Sequence, residues 1–358
     1  MGGGVERMMV YLANNFVSRG IKVDYIVIKN RGPYKKLLSE NVTLVDLKKK
    51  RVLFAVFALA KYLRKIRPEV LLSAMNYVNI IAYFSNLISY TKTRLVISER
   101  SITSEGLTNN ISGFLFKKAI KSIYPKTYRI ITISNDVKFD LVENFNISAE
   151  KITTIYNMVS TNNILHSSYN KKNEIYDSCF NDKKYSSQII VGVGRLVQYK
   201  NFKYLINAFA LVQPNIPNSK LLILGEGIDR IDLENLIKKL NLNDKVKLLG
   251  FVDNIQDFLQ ISTLFVSTSL HEGFGNVIIE AMAAGLPVIV TDCKGGPKEI
   301  VDYGKYGDIV PLNDVNILAL KITERLNNGF DKTISINRAK DFSIEKISQE
   351  YLSVLLYE

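Results

Sequence analysis

Two cysteines and two histidines in 358 residues leave little material for a metal centre or a disulfide framework. Cys179 and Cys293 are far apart and lack metal-ligand spacing, so free thiols in a reducing cytoplasm are expected. His166 falls in a polar stretch, and His271 reads as a polar loop residue rather than a general base. No Asp-x-Asp pair is followed by further ligand-like residues, so the sequence offers no evident metal site. Long apolar runs are missing as well. The longest, Val52 to Ala60, is far short of the ~20 residues that a bilayer span requires. The apolar stretch Asn76 to Tyr90 is interrupted by Asn and Ser and reads as a buried helix. No signal-peptide pattern precedes the first glycines, so a cytoplasmic chain is expected. A chain of this length with 47% hydrophobic residues can build two globular domains with separate cores.

Acidic residues are scarce in one half only. Residues 1–150 carry 24 Lys and Arg against 11 Asp and Glu, whereas residues 151–358 carry 23 of each. The whole net charge of +13 therefore belongs to the N-terminal half. Such asymmetry points to a polyanion or an anionic membrane surface. No helix-turn-helix, zinc or RNA-binding signature accompanies it, so no nucleic-acid partner is expected. A nucleic-acid binder would show steeply salt-dependent affinity. Two stretches concentrate the positive charge on amphipathic helices, Lys48 to Lys65 and Phe114 to Tyr124. Each can pack on a sheet with its lysines in water, or lie against anionic headgroups.

Strand-like and helix-like runs alternate along the chain, which predicts an α/β fold with parallel sheets. In the first block the expected strands are Lys22–Ile28, Val42–Asp46, Val70–Ser73, Arg94–Ser98, Tyr128–Ser134 and Ile152–Tyr156, with helices such as Val5–Arg19 and Leu53–Ile66 between them. Residues 161–187, rich in Asn, Ser and Lys, read as an exposed linker. A second block holds strands at Gln188–Gly192, Lys220–Leu224, Val246–Phe251, Leu264–Thr268 and Pro287–Thr291, and an amphipathic helix ends the chain. The resulting division is 1–160, linker 161–187, 188–335 and a terminal segment 336–358.

The most informative run is Ser269-Leu270-His271-Glu272-Gly273-Phe274-Gly275-Asn276-Val277-Ile278-Ile279-Glu280-Ala281-Met282-Ala283-Ala284-Gly285-Leu286-Pro287-Val288. Two carboxylates bracket a Gly-Phe-Gly turn, and the second lies in a predicted helix. Glycines ahead of a helix N-terminus let backbone N–H groups reach an anion, and the helix dipole favours it there. Eight positions separate Glu272 from Glu280, roughly 12 Å if the span were wholly helical. A ligand with phosphate in the middle and hydroxyls at both ends, such as a nucleotide-sugar, fits. An ordinary α/β loop with Glu272 solvated is the other reading. Upstream, Gly192-Val193-Gly194-Arg195-Leu196-Val197-Gln198-Tyr199-Lys200-Asn201 carries two bases to the end of a strand, where open α/β sheets bind ligands. Arg offers a bidentate fork for phosphate and Lys a point charge, although both could be plain surface charge.

These runs resemble the donor-site signature of retaining glycosyltransferases of family 4, the group 1 glycosyl transferases with the GT-B fold. The resemblance covers nearly all of the chain and is strongest from Gly192 to Pro311. It implies two facing Rossmann-like domains with a donor cleft between them, and a C-terminal helix that crosses back to brace the first. Glu272 would contact sugar hydroxyls and Glu280 the ribose, while Arg195 and Lys200 would hold the donor diphosphate. Gly194, Gly225, Phe251, Gly273, Phe274, Gly275, Asn276 and Val277 would line the nucleotide-sugar site. Glu226, between Gly225 and Gly227, could equally belong to a plain turn. Fixed cations would replace a metal, and no other cofactor is expected, the nucleotide-sugar being a substrate. Glu99 and Arg100, at a strand end in the first domain, correspond to the acceptor side, with a structural turn as the alternative. Gly3-Gly4-Val5-Glu6-Arg7 matches the family's opening turn, with Gly3 and Gly4 near the donor. Only Met1 and Gly2 precede it, so the first strand is apparently missing. A dinucleotide fingerprint is the weaker reading, because its spacing is not met.

The expected activity is retaining transfer of a hexose or N-acetylhexosamine from a nucleoside-diphosphate sugar to a lipid-linked or surface-polysaccharide acceptor, by a peripheral protein on the inner face of the membrane. The rivals are another GT-B activity, such as a nucleotide-sugar epimerase, or a non-catalytic sugar-nucleotide or glycan binder.

Overall fold

The computed structural model describes residues 4–29, 33–49, 54–107, 110–160, 172–180 and 188–357. The chain forms two compact units. One comprises Met1–Met158 with Ser343–Glu358, and the other Val159–Phe342.

The first unit opens with helix α1 (Gly4–Ser18), which buries Met8, Leu12 and Phe16 at the i, i+4, i+8 spacing of one helical face. Strands β1 (Asp24–Val27) and β2 (Thr43–Asp46) pair in parallel as a separate two-stranded sheet. Next come α2 (Ala55–Ile66), β3 (Val70–Ala74), α3 (Asn76–Ser89), β4 (Arg94–Glu99), α4 (Ile111–Ile123), β5 (Arg129–Thr132), α5 (Asn135–Phe145) and β6 (Ile152–Thr154). Strands β3 to β6 form a parallel sheet in chain order. Among the described residues no strand precedes α1, and none joins β1 to β3. The sheet material is therefore in two pieces. β1 is only half-buried throughout, whereas Leu95 to Glu99 of β4 are all buried. One core nevertheless spans both pieces. Val23 ahead of β1 and Val70 and Leu72 of β3 pack on the same cluster as Met8, Leu12 and Phe16.

The second unit contains α6 (Lys172–Phe180), β7 (Ile189–Val193), α7 (Phe202–Val212), β8 (Lys220–Leu224), α8 (Arg230–Lys239), β9 (Val246–Gly250), α9 (Ile255–Ile261), β10 (Leu264–Ser267), β11 (His271–Glu272) and α10 (Asn276–Ala283). It continues with β12 (Val288–Thr291), β13 (Lys294–Gly295), α11 (Pro297–Ile300), β14 (Asp308–Val310), α12 (Val315–Asn327) and α13 (Lys332–Lys340). The main sheet is parallel, in the order β14-β12-β10-β7-β8-β9. Ile189 to Val191, Leu221 to Ile223 and Leu264 to Phe265 are fully buried, as continuous apolar strands covered on both faces must be. The last helix, α14 (Ile344–Leu352), belongs to the first unit, where Ile347, Tyr351 and Leu352 pack with Met8, Leu12 and Phe16.

Three expectations need correction. The expected linker contains α6, whose Tyr176 is fully buried and whose Phe180 ring lies 4.9 Å from the Lys220 ammonium. The rest of that stretch lies outside the described residues. The returning segment starts at Ser343 rather than 336, because α13 stays with the second unit. Strand β14 was not anticipated. Three residues are too few for a periodicity, and it is held at the sheet edge by β12 and by the Arg325–Asp308 ion pair.

Candidate functional site

Strands β7 and β10 are neighbours in the sheet but not in the chain, and the strand order runs outward from them in opposite directions. Loops leaving the carboxyl ends of such a pair diverge and leave a crevice, the usual ligand site of an open α/β sheet. Here the loop after β7 carries Gly194, Arg195 and Lys200, and the loop after β10 carries Ser269 to Glu272. The two are stitched together. Lys200 Nζ forms an ion pair with Glu272 Oε2, the two side chains being only 13% and 19% exposed. Ser269 Oγ donates to the same oxygen at 3.1 Å. Thr268 Oγ1 donates to the Lys200 carbonyl at 3.0 Å, and the Leu270 N–H to the Tyr199 carbonyl at 2.7 Å. Burial pushes the neighbouring Cys293 thiol up to about 11, so it stays protonated and unreactive at neutral pH.

Glycines set the close approaches. Gly225 has φ +142°, and a Cβ there would lie 1.9 Å from the Gly194 carbonyl oxygen. This contact and the Gly194 N–H to Leu224 carbonyl bond at 2.9 Å press the Arg195 loop onto the end of β8. Gly295, at φ +110°, lies against Glu272, and its Cβ would come within 1.6 Å of the Glu272 carbonyl oxygen. The β11–β13 pairing thus exists only because residue 295 lacks a side chain. Gly275, at φ +102°, turns the chain into α10, whose first residues Asn276 and Val277 carry the positive end of the helix dipole. Gly273 sits between Glu272 and Phe274, and Phe274 is buried edge-on against Phe342 at 5.8 Å. Glu280 lies one turn into α10 and is buried. Phe251, just past β9, is 71% exposed. Glu226 is engaged by Arg230 at 2.5 Å, an i, i+4 pair that a plain turn residue would make equally well.

Sequence reasoning missed Tyr199 and Ser269, which complete this cluster. Tyr199 stacks on the His271 ring at 4.9 Å, and both Arg195 and Lys200 approach its face. Ser269 stands three residues before Glu272, a spacing at which a hydroxyl can reach a carboxylate across a turn.

In the first unit, Gly4 opens α1, while Gly3 lies outside the described residues, as does His166. Glu99 is completely buried at the carboxyl end of β4. It accepts from Tyr124 Oη at 2.7 Å and from the Arg100 N–H at 3.1 Å. Burial raises its carboxyl to about 7, against the lowering effect of these bonds. Arg100 is buried too. Its guanidinium donates to Ser98 Oγ at 3.2 Å, Tyr351 Oη at 3.0 Å and Asn157 Oδ1 at 2.6 Å. The geometry gives Arg100 a structural task, tying β4 to the loop after β6 and to α14. Three of its donors are thus engaged within the first unit, whereas its buried Nε has no hydrogen-bond partner among the described residues.

Residues 2–163 match glycosyltransferase family 4, and residues 179–343 match the glycosyl transferases group 1. The N-acetylgalactosamine-N,N'-diacetylbacillosaminyl-diphospho-undecaprenol 4-alpha-N-acetylgalactosaminyltransferase of Campylobacter jejuni is 34% identical over 99% of this chain and 96% of its own. The poly(ribitol-phosphate) alpha-N-acetylglucosaminyltransferase of Staphylococcus aureus is 30% identical over 66% of this chain and 45% of its own. Among solved structures, Anabaena HepE in complex with UDP and glucose superposes with a TM-score of 0.81 at 20% identity, covering 99% of this chain and 96% of that one. The architecture is therefore GT-B, and the chain belongs to the group 1, family 4 glycosyltransferases.

Proposed function

We propose that this glycosyltransferase moves a hexose or N-acetylhexosamine, with retention, from a UDP-sugar to a lipid-diphosphate-linked or surface glycan. The pairing of Lys200 with Glu272 across the β7/β10 switch point carries the reading. It brings a phosphate-binding cation and a hydroxyl-binding carboxylate to one crevice, each buried enough to resist water. A bound donor exchanges this pair for better partners. The diphosphate takes Lys200 and Arg195, and the sugar hydroxyls take Glu272. Charge developing on the leaving diphosphate meets the two cations and the α10 N-terminus, without reorganisation of solvent. Glu280 holds the ribose. The acceptor hydroxyl attacks on the face the diphosphate leaves, and a phosphate oxygen takes its proton. Fixed cations serve where a metal otherwise would. Structural neighbours that hold UDP and glucose support the base, and the Campylobacter relative, named for a diphospho-undecaprenol acceptor, supports the acceptor class.

Exposed apolar side chains support membrane contact. α2 packs along α3, and Tyr77 of α3 meets Phe116 of α4 at 4.6 Å, so the three helices are neighbours. They expose Phe57, Tyr77, Ile111, Phe114 and Leu115 beside Lys61, Lys118 and Lys121. Apolar tips flanked by lysines suit an anionic lipid surface. No described helix is long and apolar enough to cross a membrane.

The test is turnover of a panel of UDP- and GDP-sugars with a polyprenyl-diphosphate glycan, the product anomer being assigned by NMR. Glu272→Gln should slow transfer at least tenfold while UDP binds as tightly or more so, because Lys200 is released. An inverted product would defeat the stereochemical assignment. An epimerised donor without glycan product would favour the epimerase, and binding without turnover the non-catalytic rival.

A further inference from the structure

We propose that Tyr199 is a positioning residue of the donor site: its ring holds Arg195 and Lys200 in place for a diphosphate and fixes the strand that carries Glu272. The inference rests on the donor-site reading above. Tyr199 sits in a single helical turn, Gln198–Lys200, between the end of β7 and the start of α7. The Arg195 guanidinium carbon lies 5.6 Å from its ring centroid, and Arg195 Nη2 also donates to its hydroxyl. The Lys200 ammonium lies 5.9 Å from the same centroid. The His271 ring stacks on it at 4.9 Å with 23° between the planes.

These contacts divide the labour. Lys200 is already neutralised by Glu272. Arg195 is exposed and makes no ion pair with a carboxylate among the described residues, so the tyrosine is what limits its rotamers. A long flexible cation held in one place by a ring quadrupole loses less freedom when an anion arrives. The Arg195 charge, which has no carboxylate partner among the described residues, leaves a field that an anion completes. The stack on His271 and the Leu270 N–H bond to the Tyr199 carbonyl act on the other loop. They hold β11, and with it Glu272, in register with the two cations. The hydroxyl adds one bond to Arg195, but the ring makes the other contacts, so the ring is the part that matters most.

The experiment is calorimetry with UDP, and with GDP in a parallel series, on the whole chain. The variants are Tyr199→Phe, Tyr199→Leu, Arg195→Gln and the Arg195→Gln/Tyr199→Leu double variant, with melting temperatures alongside. Tyr199→Leu should weaken UDP by about tenfold, the size of two partly exposed cation–π contacts, at unchanged melting temperature. Tyr199→Phe should stay within about twofold of the parent, and Tyr199→Leu should cost much less once Arg195 is gone. The proposal is overturned if leucine binds as well as tyrosine, if phenylalanine is as poor as leucine, if the loss is the same in both backgrounds, or if Tyr199→Leu melts early. A parent chain that binds neither nucleotide overturns the donor-site reading itself, and this inference with it.

Discussion

At the scale of single residues, Glu99 is the most consequential group outside the β7/β10 crevice. It is buried beside Tyr124 and Asp140, and burial holds its carboxyl near 7. In the unfolded chain a glutamate titrates near 4.3. Between those two values the folded protein keeps a proton that the unfolded chain has released, so stability falls as pH rises from about 4.5 to 7 and levels off above. The difference amounts to on the order of 3 kcal/mol. Urea denaturation between pH 4.5 and 8 should show this decline. Glu99→Gln, which mimics the protonated acid, should flatten it and be the more stable protein at pH 8. A parent curve flat over that range would show that Glu99 is already ionised when folded. Sequence placed Glu99 and Arg100 at a strand end correctly, but a strand end is compatible with either a ligand contact or a buried clamp. The clamp's partners, Tyr124, Asn157 and Tyr351, come from distant segments that no local pattern announces.

At the scale of elements, the legible parts were those with a local signature. Continuous runs such as Leu221 to Leu224 announce a buried parallel strand, and a glycine followed by an apolar helix announces the turn into α10. The two-residue strands β11 and β13 carry no such signal. They form because Gly295 lets the backbone touch Glu272, a contact between positions more than twenty apart. α6 was hidden for a related reason: its flanks are polar, and among its described side chains Tyr176 alone is fully buried. α14 was legible as an amphipathic helix, yet the bond that secures it was not. Tyr351 Oη accepts from Arg100, whose Nε is already buried without a partner. Tyr351→Phe should therefore cost roughly 2 kcal/mol, because it deprives a buried guanidinium of one of its few acceptors. Denaturant unfolding would measure it. A loss below a few tenths of a kcal/mol would mean that water replaces the hydroxyl and that packing of Ile347 and Leu352 alone holds the helix.

For the whole molecule, the distribution of charge is the property that no single element explains. Every net positive charge lies in residues 1–150. The helices α2, α3 and α4 of that half also expose large apolar side chains, Phe57 at 78% and Phe114 at 67% among them. Not every lysine there is available to a membrane. Lys117 lies over the Phe145 ring at 5.8 Å, whereas Lys118 and Lys121 are exposed on α4. Lys50 and Arg51, ahead of α2, lie outside the described residues. Each basic residue near an anionic surface is worth about 1 kcal/mol, so replacing Lys118 and Lys121 by Gln should weaken vesicle partitioning by roughly thirtyfold at low salt. Phe114→Ser should weaken it further, and that part of the loss should persist at high salt because it is hydrophobic. UDP affinity should be untouched by all three changes, since they lie in the first unit and the proposed donor crevice in the second. The measurement is sedimentation with vesicles containing anionic lipid at two ionic strengths, beside calorimetry with UDP. Equal partitioning of parent and variants would remove the membrane from the proposal and make a soluble glycan the acceptor to test first.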